Sequence, residues 1–323
     1  MAASPINLVL PKASRLVYGC MGLGGNWDNS PVNQDHVNQA NAAIDAALEI
    51  GINYFDHADI YTMGKAEQVF GQVLAQRPEL REQIILQTKC AIRFGDDKWC
   101  GRYDWSADYI RQSVEDSLRR LQSDSIDVMM LHRPDPLAEM DEVAEVLQAL
   151  KDSGKVQHFG VSNMSGAQIA HLQSVLSFPL VANQLEMSLS KLDWLNHNIA
   201  VNDEQVKGHS FAAGTLEYCA MNKVQIQAWG SLARGLFSGA DLSNATQQQR
   251  DTAQLVRQYA DQYSTSPEAI VLAWLIRHPA GIQPVIGSVN VDRIRACADA
   301  TKVELSREQW YQLYVTSRGQ ALP

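Results

Sequence analysis

The chain of 323 residues is 46% hydrophobic and 20% charged, and it carries a formal net charge of −9 at pH 7. This length suits one large α/β domain or two modest ones. The acidic balance excludes a protein that tracks nucleic-acid phosphates, because such a protein needs a basic face. No run of about eighteen apolar residues is present, so no transmembrane helix is predicted.

The cysteines and the N-terminal sequence indicate the cellular compartment of the protein. The five cysteines include no C-x-x-C pair, which predicts a reduced chain with neither a disulfide framework nor a metal site. The sequence MAASPINLVLPKASR lacks the basic segment and the long apolar segment of a signal peptide. We therefore expect a cytoplasmic protein.

Eight short apolar segments recur along the chain as candidate strands. They are RLVYGCM (15–21), INYFDHA (52–58), IILQTK (84–89), IDVMMLH (126–132), QHFGVSN (157–163), LVANQLE (180–186), VQIQAWG (224–230) and PVIGS (284–288). Longer amphipathic stretches separate them, among which three are clear helices: NQANAAIDAALEIG (38–51), DYIRQSVEDSLRRLQ (108–122) and MDEVAEVLQALKDSGK (140–155). The alternation predicts a parallel sheet that helices cover.

Two architectures fit this alternation. A doubly wound sheet calls for G-x-G-x-x-G after its first strand, and the glycines of GCMGLGGNW (19–27) do not have that spacing. Eight strand–helix units in this length fit a (β/α)8 TIM barrel better. No Pro-, Gly- or Ser-rich linker divides the chain. We predict one barrel domain over 1–323, with 1–14 as an extension that closes the barrel bottom and 303–323 as a C-terminal helix and tail.

In such a barrel the active site lies at the C-terminal ends of the strands. Asp56 and Tyr61 follow the second predicted strand, Lys89 the third and His132 the fourth. Alone, a lysine at a strand end is usually solvated, and a single histidine usually makes a structural hydrogen bond. The convergence of four titratable groups from neighbouring strands indicates an active site.

Six ordered segments resemble the successive motifs of one enzyme family, the aldo-keto reductases. They are DHADIY (56–61), QTKC (87–90), LHRPD (131–135), GVSN (160–163), NQLE (183–186) and AWGSLARGLF (228–237). The resemblance runs from about Arg15 to the C-terminus. It implies a catalytic tetrad of Asp56, Tyr61, Lys89 and His132, with no member substituted.

The chemistry of carbonyl reduction explains these residue types. A hydride must reach carbon and a proton must reach oxygen, but the pKa of tyrosine, near ~10, makes it a poor acid at neutral pH. The ammonium of Lys89 would ease proton release from Tyr61, and Asp56 would balance that ammonium. His132 would donate a hydrogen bond to the substrate oxygen. We assign no role to His57 or Asp59.

The resemblance also implies a nicotinamide cofactor. Its carboxamide would be held by Ser162, Asn163 and Gln184, and Trp229 would stack on the ring. The pyrophosphate would follow the segment that contains Gly230, Ser231, Leu232 and Arg234. Gly235 would allow the close backbone turn that this path requires.

The last barrel segment bears on the choice between NADP and NAD. Asn290 is a candidate N-cap for a helix that begins near Val291, which leaves Arg293 in the first turn, where a cation opposes the helix dipole unless an anion is bound. In the family an Arg at this place and a Ser corresponding to Ser288 hold the 2′-phosphate. Gly287 stands where many relatives have Lys, and Cys297 replaces a frequent Asn near the adenine. NADP(H) is favoured over NAD(H).

The substrate pocket is predicted from the family's loops to be aromatic and largely apolar. The residues offered are Met21, Trp27, Trp99, Tyr103 and Pro134. Arg102 and Arg133 are nearby cations of undetermined direction. We expect a small-molecule carbonyl substrate, an aldehyde or ketone of modest size, and a monomeric protein. The polar stretch 196–214 is expected to be partly mobile.

Two other functions remain open at this point. Some members of the family are NADP-binding regulatory subunits of channels, which allows a sensor with slow turnover. A barrel isomerase or aldolase would instead use Lys89 as a Schiff base. NADPH oxidation by a simple aldehyde would favour the reductase, whereas borohydride trapping on Lys89 would favour the aldolase.

Overall fold

Eight parallel strands close into a barrel in a computed structural model that describes residues 4–199 and 210–323. The barrel strands are β1 (Val17–Gly19), β2 (Tyr54–Asp56), β3 (Ile85–Cys90), β6 (Ile126–Leu131), β7 (Val156–Ser162), β8 (Leu180–Glu186), β9 (Gln225–Trp229) and β10 (Gln283–Ile286). Each strand pairs with its neighbours along the chain, and β1 pairs with β10 to close the ring. The predicted (β/α)8 barrel and all eight predicted strands are confirmed.

The helices surround the barrel. They are α1 (Gln34–Glu49), α2 (Lys65–Gln76), α3 (Ala107–Leu121), α4 (Met140–Asp152), α5 (Gly166–Gln173), α6 (Asp193–Ile199), α7 (Thr215–Met221), α8 (Gln247–Gln262), α9 (Pro267–Ile276), α10 (Val291–Arg295) and α11 (Arg307–Arg318). Helix α1 begins earlier than predicted, because Asn33 caps it by accepting a hydrogen bond from the backbone N–H of His36. Helix α10 begins at Val291 with Asn290 as its N-cap, as predicted.

A short antiparallel hairpin was not anticipated. Its strands β4 (Ile92–Arg93) and β5 (Arg102–Tyr103) have two residues each and lie outside the barrel. Strands this short carry no detectable alternation of apolar and polar residues, so the sequence between β3 and α3 is indistinguishable from a loop.

The turn after β2 has an unusual backbone. Thr62, Met63 and Gly64 all have positive φ angles, of 48°, 61° and 84°. The Thr62 hydroxyl donates to the carbonyl of Leu23 at 2.8 Å, which ties this turn to the loop after β1. In that loop Gly24 lies so close to the backbone of Lys65 that a Cβ would be 2.7 Å from the carbonyl carbon. The two loops are therefore packed as one unit.

Apolar side chains form two layers. Large clusters lie between the strands and the helices, and a smaller one fills the barrel interior with residues such as Val17, Tyr54 and Met130. Ile6 is fully buried in this inner cluster, and its N–H donates to Gln225 Oε1 at 3.3 Å. That residues 1–14 close the barrel bottom stays a prediction, and 1–3 lie outside the described residues. No helix within 4–199 and 210–323 has the length and apolarity to cross a membrane.

His57 is buried between β2 and α2. Its ring packs edge-on against Phe70 with centroids 4.6 Å apart, and neither ring nitrogen has a hydrogen-bond partner among the described residues. Burial, followed by the charge of Lys89, lowers the pKa of His57 from 6.5 to about 3. The folded protein therefore holds this histidine neutral at pH values where the unfolded chain would protonate it.

This histidine should make the fold less stable in acid. Its pKa is depressed, so its contribution to stability is complete above the unfolded value of 6.5 and is lost as pH falls towards about 3. Relative to His57→Leu, the wild-type free energy of unfolding should fall by about 2 kcal/mol between about pH 7.5 and about pH 5. Denaturant unfolding of both proteins at both pH values measures this change. An equal difference between them at the two pH values would contradict it.

Candidate active site

A cavity of about 560 Å³ opens at the C-terminal ends of the barrel strands. Eighteen of the residues singled out from the sequence line it: Met21, Trp27, Asp56, Tyr61, His132, Arg133, Ser162, Asn163, Gln184, Trp229, Gly230, Ser231, Leu232, Arg234, Gly235, Gly287, Ser288 and Arg293. Lys89 is fully buried behind this wall. Residues from separate strands and loops are thus brought to one chamber.

Lys89 lies at the centre of the polar contacts. Its Nζ donates to both carboxylate oxygens of Asp56 at 2.8 Å, to the carbonyl of His57 at 2.8 Å, and to Tyr61 Oη at 3.0 Å. The strand register explains the geometry, because β2 and β3 are paired neighbours that place Asp56 beside Gln87 and hence near Lys89. The tight turn after β2 brings Tyr61 back over the same point.

Burial and the neighbouring charges both act on the pKa values of Tyr61 and Lys89. Burial raises the pKa of the Tyr61 phenol above its ordinary value; Lys89 opposes this effect and Asp56 adds to it. For Lys89, burial opposes the charge, but Asp56 and then Tyr61 outweigh it and keep the pKa above its ordinary value. The pair thus stands ready at neutral pH as a protonated phenol hydrogen-bonded to an ammonium.

His132 is a neutral group at this wall. Burial, together with the charges of Lys89 and Arg133, lowers its pKa to about 2. Its ring meets that of Tyr61 edge-on with centroids 6.1 Å apart. A neutral imidazole that lines a cavity offers one N–H donor there without a counter-charge, provided that this tautomer is the one present.

Three side chains of the expected nicotinamide region are linked to one another and to the backbone of Gln184. Trp229 Nε1 donates to Asn163 Oδ1 at 3.2 Å, and Asn163 Nδ2 donates to Ser162 Oγ at 2.8 Å. Ser162 Oγ donates to the backbone carbonyl of Gln184 at 3.0 Å. Asn163 has a φ of 58°, in the left-handed region that Asn adopts more readily than most residues. No donor among the described residues approaches Gln184 Oε1.

Two exposed cations line the cavity. Arg234 and Arg293 are exposed, and neither guanidinium has an ion-pair partner within the described part of the chain. Ser288 Oγ accepts from the N–H of Asn290 at 3.1 Å. Cys297, which stands where many relatives have an Asn near the adenine, is fully buried, lies outside the cavity lining and donates to the carbonyl of Arg293.

The predicted substrate residues divide into two groups. Met21 and Trp27 line the cavity, and their loop is anchored by Lys65 Nζ, which contacts Asp28 Oδ1 at 2.9 Å. Trp99 and Tyr103 are outside the lining, on or beside the β4–β5 hairpin, where both are exposed.

The two nearby cations also separate. Arg133 lines the cavity, as does His132, whereas Arg102 does not. Pro134 is not part of the lining either. Most of the polar stretch 196–214, namely 200–209, lies outside the described residues.

Some lining residues were not anticipated. They are Gly19, Ile60, Ser238, Glu268, Val285 and Ile286. Gly19 and Ile286 end barrel strands, and that position was an available signal. Glu268 lies in the first turn of α9, away from any strand end. No sequence pattern distinguishes it from an ordinary acidic residue at a helix N-terminus.

Comparisons with known proteins agree with this geometry. The model of the aldo/keto reductase family matches residues 15–314. The chain is 38% identical over 311 residues to a 6-dehydroglucose reductase from Agrobacterium fabrum, an alignment that covers 95% of each chain. It is 34% identical over 315 residues to the oxidoreductase YdhF from Escherichia coli, which covers 97% of this chain and 96% of that one.

Solved structures show the same barrel. A glycerol dehydrogenase from Gluconobacter oxydans superposes with a TM-score of 0.78 at 24% identity, covering 96% of this chain and 93% of that one. The holo form of an aldo-keto reductase from Bacillus halodurans superposes with a TM-score of 0.71 at 27% identity, covering 94% and 92%. The resemblance inferred from the six motifs is confirmed: the chain belongs to the aldo/keto reductase family and is an oxidoreductase.

Proposed function

We propose that this protein reduces aldehydes or ketones to alcohols with NADPH, and that Tyr61 is the proton donor. The observation that carries the proposal is the position of Lys89 Nζ, 2.8 Å from both oxygens of Asp56 and 3.0 Å from Tyr61 Oη, directly behind the cavity wall. A phenol that must give up its proton needs a cation in contact with its oxygen, and this cation has its own fixed counter-ion.

The cavity residues fit a nicotinamide cofactor, which when bound supplies the hydride. Gln184 Oε1 is an available acceptor for a carboxamide, and the Trp229 indole offers a flat face beside it. The guanidiniums of Arg234 and Arg293, which have no ion-pair partner among the described residues, suit phosphate groups, because each can donate two parallel hydrogen bonds. Tyr61 and His132 line the same cavity, where the carbonyl would meet them.

The protein's own residues then perform the acid–base part of the reaction. His132, neutral at working pH, donates a hydrogen bond to the carbonyl oxygen and so orients it. Tyr61 transfers its proton to that oxygen as negative charge develops there. The ammonium of Lys89 stabilises the phenolate that remains, and Asp56 keeps the ammonium in place. In alcohol oxidation the same groups act in the opposite order.

The first test replaces Tyr61. Tyr61→Phe keeps the ring but removes the transferable proton, so hydride transfer to a good aldehyde should slow by about 10²–10⁴-fold while cofactor affinity hardly changes. Lys89→Met should cause a comparable loss, and the two losses should not add, because the residues act as a unit. Pre-steady-state NADPH oxidation over a panel of aldehydes and ketones measures both.

Tyr103→Phe is the matched control, because Tyr103 is exposed and outside the cavity lining. It should leave the rate unchanged. Retention of more than about a tenth of the wild-type rate in Tyr61→Phe would remove Tyr61 from the mechanism. Cofactor binding without turnover of any carbonyl would favour an NADP-binding sensor instead.

Cofactor choice tests Arg293. If its guanidinium contacts the 2′-phosphate, NADPH should bind more tightly than NADH by roughly 1.5–3 kcal/mol, and Arg293→Ala should remove most of that difference. Fluorescence titration with each cofactor gives the two dissociation constants. Arg295→Ala is the control, because Arg295 is on the same helix but pairs with Glu49 at 2.9 Å. Equal affinities of the unmodified protein for NADPH and NADH would refute the assignment.

The substrate class is a finer proposal, supported by Arg133. Its guanidinium has no ion-pair partner within 4–199 and 210–323, and it lines the cavity next to His132. A guanidinium donates well to hydroxyl and other oxygen groups. Two relatives at 38% identity are named 6-dehydroglucose reductases. We propose that hydroxylated aldehydes of the sugar type are preferred over unsubstituted ones.

Arg133→Met should therefore raise KM for a sugar aldehyde by about 10-fold or more, since a charge-assisted hydrogen bond is lost, while KM for an aliphatic aldehyde of similar size changes little. Arg102→Met provides the comparison, because Arg102 is outside the cavity lining. An equal effect of Arg133→Met on both aldehydes would show that Arg133 does not select hydroxylated substrates.

A further inference from the structure

The buried carboxylate of Asp56 is held by more than Lys89. Gln87 Nε2 donates to Asp56 Oδ1 at 2.5 Å, and Gln184 Nε2 donates to Oδ2 at 3.1 Å. Asp56 is 1% exposed, so water cannot supply these contacts. Since one cation leaves some carboxylate lone pairs without a partner, the two amides complete the hydrogen bonding of Asp56.

The orientation of Gln87 is fixed by its other contacts. An amide can present either its NH₂ group or its oxygen, and only the NH₂ group suits a carboxylate. Tyr54 Oη donates to Gln87 Oε1 at 2.8 Å. Gln227 Oε1 accepts from Gln87 Nε2 at 2.9 Å and from Gln184 Nε2 at 3.1 Å. If the amide of Gln87 were rotated by 180°, its oxygen would face the carboxylate of Asp56 and its nitrogen would face the hydroxyl of Tyr54.

Gln227 is oriented in turn from the opposite end of the barrel. Its Nε2 donates to Gln283 Oε1 at 3.1 Å, and Gln283 Nε2 donates to the backbone carbonyl of Ser14 at 2.7 Å. The carbonyl of Ser14 can only accept, so Gln283 must present its Nε2 to it. The orientation of Gln283 then determines that of Gln227, and Gln227 determines that of Gln87. The chain of amides runs through the barrel interior from Ser14 to Asp56.

We propose that Gln87, held by Tyr54 and Gln227, is a positioning residue that acts on catalysis through Asp56. This inference rests on the proposed function of Tyr61. If Gln87 no longer holds Oδ1, the carboxylate rotates and the ammonium of Lys89 follows it. The 3.0 Å contact between Lys89 Nζ and Tyr61 Oη then lengthens, and proton release from the phenol loses its support.

The competing explanation is a purely structural role. Buried amides must find hydrogen bonds in any barrel, and their removal alters stability wherever they are. The chain contains a matched case. Gln225 is also fully buried and also on a barrel strand, β9, but its amide donates to the carbonyl of Gly281 at 2.8 Å and accepts from the N–H of Ile6, with no hydrogen bond to Asp56.

The experiment compares Gln87→Met with Gln225→Met in the full chain. Both keep the side-chain length and remove the amide. Gln87→Met should slow hydride transfer by about 10-fold, with cofactor affinity within about twofold of wild type. Gln225→Met should change stability without slowing hydride transfer. Tyr54→Phe, which removes only one hydroxyl, should slow hydride transfer by about threefold. This variant tests the proposal if Gln87→Met does not fold.

A double-mutant cycle identifies the route of the effect. In an Asp56→Asn background, Gln87→Met should cost less than about twofold, because its target has been altered already. Three results would each overturn the proposal: a Gln87→Met rate within about twofold of wild type, an equal slowing in Gln225→Met, or an undiminished loss beside Asp56→Asn. For an unfolded Gln87→Met, an unslowed Tyr54→Phe would do the same.

Failure of the proposed function would look different. It would appear in the unmodified protein as absent turnover, or in Tyr61→Phe as an unchanged rate. In that case a crystal structure of Gln87→Met still decides the positioning: the distance from Lys89 Nζ to Tyr61 Oη should exceed about 3.5 Å. A distance unchanged from the wild type would overturn the inference.

Discussion

The ion pair between Lys89 and Asp56 is the constraint on which the rest of the site depends. Both side chains are essentially inaccessible to water. Two charges removed from solvent are tolerated only when they contact each other and when their remaining hydrogen-bonding capacity is satisfied. This requirement explains why polar side chains occur in the interior of a barrel otherwise filled by residues such as Val17 and Met130, and why the strand register of β2 and β3 matters to function.

The acid–base residues and the residues that would meet the substrate come from different parts of the barrel. Asp56, Lys89 and His132 are on or directly after strands that pair on both sides, so the closed sheet determines their positions, whereas Tyr61 lies in the turn after β2. The residues that would meet the substrate, such as Trp27 and Arg133, come from loops at the rim. This arrangement allows substrate preference to change through the loops while the proton-transfer geometry is retained.

Sequence reasoning was most informative where local pattern and barrel geometry coincide. Apolar runs predicted the strand positions, and the ends of those strands predicted site residues such as Asp56 and His132. It was least informative where side-chain direction depends on packing. Trp99 lies outside the cavity lining, in the β4–β5 hairpin that the sequence did not reveal, and the tetrad gives no hint of Gln87, whose amide contacts partners on other strands.

The turn at Thr62, Met63 and Gly64 has a consequence for substitution. Two side-chain-bearing residues in succession adopt a left-handed backbone that costs roughly 1 kcal/mol or more each. Local preference does not produce this path; the hydrogen bond from Thr62 to the carbonyl of Leu23 and the close approach of Gly24 to Lys65 impose it. Insertions or deletions in the loop after β1, thirty or more residues upstream, would therefore displace the phenol of Tyr61.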